Sequence, residues 1–402
     1  MLYHPDRHEA LSPEPWSEAR AREAIDAIVR DAQERFAATS YWPWHPKDVE
    51  PGDDQTQPPL PLYFGAAGVI WAMRYLQDIG ATDRGDRYEA CFDDLLRRSR
   101  AGLASMPADE SASFLIGETP ILLMAQADQP NELRADRLAT LIDSNKAHPG
   151  RELMWGSPGT MLAALFLHER FGGERWAALF RQSAQRLQSE LVWSDAHRCH
   201  YWTQLLYGRE STYLDAVHGF VATASVLIRG RSLLDADEWT QWQSIIATTI
   251  ERTATREEGL ANWRTQMLGG STRPHLMQFC HGAPGFIICL ADFPDRSLDE
   301  LLIAAGEATW QAGPLTKGSN LCHGTGGNGY AFLKLFRRTG DERWLERARA
   351  FAMHGIRQTW DDRARYGQLR YSLWTGDPGF AIYLWDCIRA TPAFPTLDVF
   401  YG

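Results

Sequence analysis

A glycine leading straight into an apolar helical run recurs seven times along this chain of 402 residues, and no other feature limits the possible folds so strongly. The runs are YFGAAGVIWAMRYL from Tyr63, FLIGETPILLMAQA from Phe114, MWGSPGTMLAALFL from Met154, AVHGFVATASVLI from Ala216, FCHGAPGFIICLAD from Phe279, LCHGTGGNGYAFLKL from Leu321 and LWTGDPGFAIYLWD from Leu373. Their leading glycines, Gly65, Gly117, Gly156, Gly219, Gly282, Gly324 and Gly376, lie 52, 39, 63, 63, 42 and 52 residues apart. Each gap has room for two helices, and self-similarity at such a period marks a repeat architecture.

Between the glycine-led runs lie charged amphipathic segments. DERWLERARAFAMHGIRQTW starts at Asp341, and SLDELLIAAGEATW opens with Ser297 and Glu300 at capping-box spacing. SEARAREAIDAIVRDAQERF from Ser17 places Ile25, Ile28, Val29, Ala32 and Phe36 on one stripe. Apolar helices alternating with amphipathic ones predict an inner ring buried on most sides and an outer ring with one wet face. That is an all-α, (α/α)7 toroid forming a single domain over residues 1–402, with residues 1–62 supplying an N-terminal helix and loop. Alternating strand patterns are sparse, with one short pair expected around Leu369 to Leu373. Asp48 to Pro61, rich in Pro, Gly, Asp and Gln, reads as a surface loop.

A residue without Cβ lets the backbone turn sharply into a helix and lets neighbouring helix starts crowd near an axis. Seven helices starting at one end of a barrel would converge their free N–H groups and positive dipole ends there, favouring anions. The alternative is that the glycines only permit close packing.

Hydrophobic residues at 44% and charged residues at 23% fit a globular protein with a sizeable core. A net charge of -10 argues against a nucleic-acid surface or a polybasic membrane anchor. No secretory or myristoylation signal opens the sequence, and no uninterrupted apolar stretch suits a membrane span, so a cytoplasmic location is expected. The six cysteines, 91, 199, 280, 289, 322 and 387, are scattered, which reads as free thiols and metal ligands rather than a disulfide framework. Cys91, Cys199, Cys289 and Cys387 are expected to pack as buried thiols.

Three repeats break the apolar pattern beside the glycine: His218-Gly219, Cys280-His281-Gly282 and Cys322-His323-Gly324. Repetition stacks these groups on one rim. Thiolate and imidazole are the usual zinc ligands, and three protein ligands with one open position is the catalytic arrangement. Spacing leaves two sets open. Cys280, Cys322 and His323 would make an open site; adding His281 would close it as a structural one.

The segments LYFGAAG, QFCHGAPGFI, GPLTKGSNLCHGTGGNGYAFLKL and YSLWTGDPGFAIYL resemble those of lanthionine synthetase C-like (LanC-like) proteins, closest in motif to the stand-alone eukaryotic-type glutathione-binding members. The likeness runs from about Tyr63 onward. It implies a double ring of helices, zinc held by Cys280, Cys322 and His323 with His281 outside the set, and His218 as the acid–base residue. It further implies that Lys317, Arg365 or Arg363, and an N-terminal Arg7 contact glutathione. Two departures are Phe279, where the family has Trp, and the second repeat, which reads Gly-Glu-Thr-Pro.

The activity so implied is addition of a thiol, glutathione or another, to dehydroalanine or dehydrobutyrine in a peptide or protein. Alternatives are a lanthionine cyclase working with a separate dehydratase, and a non-catalytic zinc- and glutathione-binding module. Neither nucleic acid nor membrane insertion enters any of these.

Overall fold

The computed structural model describes residues 1–83, 88–104, 106, 110–268 and 275–402. Seven apolar helices follow the glycines: α2 (Ala66–Asp78), α4 (Thr119–Asp128), α6 (Ser157–Phe171), α8 (Phe220–Arg229), α10 (Ala283–Leu290), α12 (Thr325–Thr339) and α14 (Asp377–Arg389). They alternate with α1 (Glu18–Arg35), α3 (Phe92–Leu103), α5 (Glu132–Asn145), α7 (Glu174–Ser189), α9 (Ala236–Thr253), α11 (Asp299–Ala312) and α13 (Glu342–Tyr366). Each member of the first set packs on the next, and α14 returns to α2, so the inner ring closes. The expected toroid is what forms.

The division into rings follows from side-chain chemistry. In α6, every residue from Ser157 to Leu167 is buried, as an inner helix with neighbours on all sides requires. Outer α1 buries only the stripe Ala21, Ala24, Ile25, Ile28, Val29, Asp31 and Ala32, and Ser17 caps it by accepting from Arg20 N at 3.4 Å. That stripe packs on α14 and α13, sealing the ring at its join. Ser297 and Glu300 do not form a capping box. Helix α11 starts after Leu298, and Ser297 N and Oγ turn back to Asp295 at 2.8 and 2.5 Å. A capping box is built instead at α9, between Asp235 and Glu238.

The tail after α14 folds into the barrel. Phe394 stacks on Phe279 with centroids 4.5 Å apart and meets Trp374 and Tyr330, while Phe400 packs on Phe114 and Phe166. Burying each such ring contributes about 1.5–3 kcal/mol, and here it also gives the rim a solid floor.

Strands lie elsewhere than expected. The two 63-residue intervals hold three antiparallel pairs: β1 (Val192–Ser194) with β2 (Cys199–Tyr201), β3 (Gln204–Leu206) with β4 (Arg209–Ser211), and β5 (Ala254–Glu257) with β6 (Leu260–Trp263). At 369–373 there is no strand, because the chain bends into the last rim turn: Arg370 N donates to Asp377 Oδ2 at 2.7 Å and Asp377 N donates back to Arg370 O at 2.9 Å. The 48–61 segment is an exposed loop. Cys199, Cys289 and Cys387 are buried, and Cys91 is half-buried. No helix among the described residues is long and apolar enough to cross a membrane.

Candidate metal and acid–base site

The turns before the inner helices share one register. Two residues before each leading glycine stand Tyr63, Leu115, Met154, Val217, Cys280, Cys322 and Trp374; one residue before stand Phe64, Ile116, Trp155, His218, His281, His323 and Thr375. Main-chain bonds stitch the turns into a belt. Cys280 N donates to Cys322 O (3.0 Å), Cys322 N to Trp374 O (2.8 Å), Trp374 N to Tyr63 O (3.1 Å), Tyr63 N to Leu115 O (3.0 Å), Leu115 N to Met154 O (3.3 Å) and Leu153 N to Val217 O (3.1 Å).

Small residues make the belt possible. A Cβ on Gly327 would overlap the Leu321 carbonyl and come within 3.0 Å of Phe279 Cβ in the adjacent turn. Gly282 has a φ of 112°, where an L side chain is strained. The helix starts are not open to anions in the way expected. At α2, α8, α12 and α14 the first N–H groups are taken by carbonyls seven residues back, as in Thr325 to Gly318, Gly326 to Ser319, Phe220 to Tyr213 and Val221 to Leu214, and at α10 Ala283 N donates to Asn262 Oδ1 at 2.7 Å. What converges on the rim is side chains.

Cys280, Cys322 and His323 come together there, with their ligand atoms all within 4.8 Å of one another. Both cysteines are buried and His323 is half-buried. Two sulfurs and an imidazole nitrogen, converging without a fourth protein ligand among the described residues, fit a borderline-soft divalent metal with an open position. Burial pushes the Cys280 thiol far up; it acts on Cys322 in the same sense, but there hydrogen bonds from Cys280 and Tyr63 and the charges of Lys317 and Arg370 together bring the thiol down. A bound dication would deprotonate both. The sulfurs also have donors: Tyr63 Oη lies 2.8 Å from Cys322 Sγ, and Gln278 Nε2 lies 2.9 Å from Cys280 Sγ.

His281 does not join the cluster. Its Nδ1 lies 2.7 Å from Asp215 Oδ2, and His218 Nδ1 lies 2.8 Å from Glu152 Oε2. Both carboxylates are fully buried. Burial would lower each imidazole, but the Glu152 bond and charge raise His218 to about 9, and the Asp215 charge does the same for His281. Each ring therefore carries a proton at neutral pH and shows its Nε2 edge to other partners. Tyr213 lies between them, its ring 5.7 Å from His218 and 6.4 Å from His281.

The expected cations divide. Arg7 is brought to the site, its Nη2 donating to Gln278 Oε1 at 2.9 Å. Lys317 sits beside Arg7 and both cysteines, and desolvation together with the Arg7 charge lowers its pKa. Arg365 lies in the last turn of α13, its guanidinium 5.4 Å from the Tyr366 ring. Arg363 is engaged by Asp31 at 2.9 Å. Arg370, not anticipated, is pinned to Asp48 through Nε at 2.8 Å and through Nη2, and its charge acts on Tyr63, Cys322 and Lys317.

Glu152 and Asp215 were also missed. Four residues before six of the seven leading glycines stand Ser113, Glu152, Asp215, Gln278, Asn320 and Ser372, with Pro61 in that place before Gly65. Several cap their own turns: Ser113 Oγ accepts from Ile116 N at 3.0 Å, Asp215 Oδ1 from His218 N at 2.8 Å and Asn320 Oδ1 from His323 N at 3.0 Å. Aligning the repeats on their glycines displays that polar column, and its two acids are the partners of the two histidines.

The sequence matches the family described as lanthionine synthetase C-like protein over residues 57–399. It is similar to a protein of Danio rerio named glutathione S-transferase LANCL1, with 27% identity over 312 residues, 71% of this chain and 74% of that one. LanC-like protein GCL1 of Arabidopsis thaliana is 47% identical over 90 residues, 21% of either chain. Among solved structures, nisin cyclase shares the fold with a TM-score of 0.62 and 15% identity, covering 91% of this chain and 94% of its own.

Proposed function

Because this chain belongs to the lanthionine synthetase C-like family, we propose that it is a zinc-dependent enzyme joining a thiol, glutathione foremost, to dehydroalanine or dehydrobutyrine residues of a peptide or protein. The observation that carries this reading is the open Cys280–Cys322–His323 cluster on the same rim as a carboxylate-backed histidine, His218. Similarity to a relative named a glutathione S-transferase supports glutathione as the donor.

Zinc held by Cys280, Cys322 and His323 would supply the charge that keeps a substrate thiol ionised at neutral pH. The remaining steps fall to the chain's own groups. As sulfur bonds to the β-carbon, the alkene pair moves to the α-carbon, where one proton must arrive. His218 holds that proton on Nε2 while Glu152 fixes Nδ1, the geometry of a positioned general acid. The Lys317 ammonium makes no hydrogen bond or ion pair among the described residues, and with Arg7 it offers charge-assisted bonds to the carboxylates of glutathione. Arg365 stands further out, over Tyr366, as a third candidate contact.

Incubating the zinc-loaded protein with glutathione and a dehydroalanine peptide is expected to give an adduct heavier by one glutathione. His218→Ala is expected to lower its rate by at least about 100-fold, the usual contribution of a positioned acid, and Cys322→Ala to lower it at least as much by removing a metal ligand. Wild-type rates in both variants would defeat the reading.

A further inference from the structure

An enzyme that presents an alkene electrophile to a zinc site places it next to two protein sulfurs as well as the substrate's. Attack by Cys280 or Cys322 would form a C–S bond to the β-carbon, send the alkene pair to the α-carbon and take up one proton there, with no leaving group and no redox change. It would also remove a metal ligand.

We propose that Tyr63 and Gln278 are positioning residues that suppress this self-addition by donating hydrogen bonds to the cysteine sulfurs, leaving the substrate thiolate as the reactive one; the inference rests on the reaction proposed above. Each sulfur has its own donor, Tyr63 Oη on Cys322 at 2.8 Å and Gln278 Nε2 on Cys280 at 2.9 Å. A donor on a thiolate draws charge from it and lowers its nucleophilicity, and an ionised acceptor makes the bond strong.

The orientation of the Gln278 amide is fixed chemically. Arg7 can only donate, and its Nη2 is 2.9 Å from one terminus of that amide, so this terminus is oxygen and the NH2 faces Cys280. Tyr63 is held by Trp374, whose ring lies 5.6 Å away and whose main-chain N–H donates to Tyr63 O at 3.1 Å.

The register shows why position 278 carries an amide. His218 pairs with Glu152 and His281 with Asp215, in each case the side chain four before the preceding repeat's glycine, 66 residues upstream. By the same register, the partner of His323 would come from position 278. A carboxylate there would set a like charge against the Cys280 thiolate and compete with the metal for His323. Glutamine leaves the imidazole to the cluster and turns a donor toward the sulfur.

The test treats zinc-loaded protein with N-acetyldehydroalanine amide without added thiol, and maps adducts on Cys280 and Cys322 by mass. Cobalt(II)-substituted protein is compared by its sulfur-to-metal absorption bands. Tyr63→Phe is expected to raise labelling of Cys322, and Gln278→Met that of Cys280, each roughly tenfold, the factor a hydrogen bond to a charged acceptor carries. Both are expected to move the cobalt bands to longer wavelength. Labelling and bands unchanged in both variants, or labelling raised without preference for the matching cysteine, would overturn the proposal. The two variants address different sulfurs, so either suffices if the other fails to fold or take up cobalt. Neither readout needs turnover, whereas failure of the parent to join glutathione to the peptide would count against the reaction itself.

Discussion

Asp215 spans the one junction of the rim where no main-chain bond is found among the described residues, between the turn of Val217 and that of Cys280. Its carboxylate does the work instead: Oδ1 accepts from Val217 N at 3.1 Å and His218 N at 2.8 Å, and Oδ2 meets His281 Nδ1 at 2.7 Å. Asp215→Asn can keep Oδ1 on the two amides but turns an NH2 toward the protonated imidazole, losing one charged hydrogen bond worth about 1.5–3 kcal/mol. Asp215→Ala loses that bond and also leaves two buried N–H groups without an acceptor, each costing about 1–3 kcal/mol more. The expected order is parent, then Asn, then Ala, with Ala below Asn by about 2 kcal/mol or more. Urea unfolding of the metal-loaded proteins at pH 7 reads this directly. Equal losses in the two variants, or an Ala loss under about 1 kcal/mol, would refute the claim that this side chain closes the belt.

Gly327→Ala places a methyl into the Leu321 carbonyl and against Phe279 Cβ, so a loss of about 1–3 kcal/mol and weaker metal uptake are expected, seen by thermal unfolding and metal titration; unchanged values would mean the turns are not packed as described. His45, buried among Tyr366, Arg370, Lys47, Asp48 and Asp362, has its pKa lowered to about 4 by burial first and by the Arg370 charge second. The unfolded chain, with a pKa near 6.5, takes up the proton first, so the favourable contribution is full above pH 6.5 and is lost as pH falls toward 4. The loss totals about 3 kcal/mol, and a His45→Asn variant whose stability falls as steeply as the parent's over that window would contradict it.

The toroid was legible because each repeat announces itself twice, by a glycine at a crowded turn and by a helix buried on every side, and both signals are local. The hairpins were not legible. The two 63-residue gaps held their own clue, being longer than a helix pair needs, and each of two hairpins turns through a left-handed pair, Tyr207-Gly208 and Glu258-Gly259, that composition alone does not flag. The open helix ends expected at the rim failed for a related reason: the satisfaction of Thr325 N by Gly318 O depends on how the loop winds back, which periodicity does not encode. Cys280, Cys322 and His323 were legible as a cluster since two identical tripeptides in register must stack. Arg370 was invisible because its place beside the sulfurs depends on Asp48, 322 residues away.

Three histidines at one register position serve two roles, and the difference lies in a single column of the repeat. His218 and His281 each meet an acid from the preceding turn, which holds a proton on the ring and ties up Nδ1. His323 meets no acid in that column, because glutamine stands at 278, and its ring is left to the two sulfurs. Cysteine at the neighbouring position is confined to the fifth and sixth turns, so the proposed metal ligands and the carboxylate-paired histidines occupy consecutive turns on one arc of the rim. The opposite arc, with Phe64, Ile116 and Trp155 at the histidine position, carries no titratable group there. A ring of seven similar turns thus differs chiefly in the polar residues of three adjacent turns and in their partners, which stand four positions before the preceding repeat's glycine, while the belt beneath stays the same.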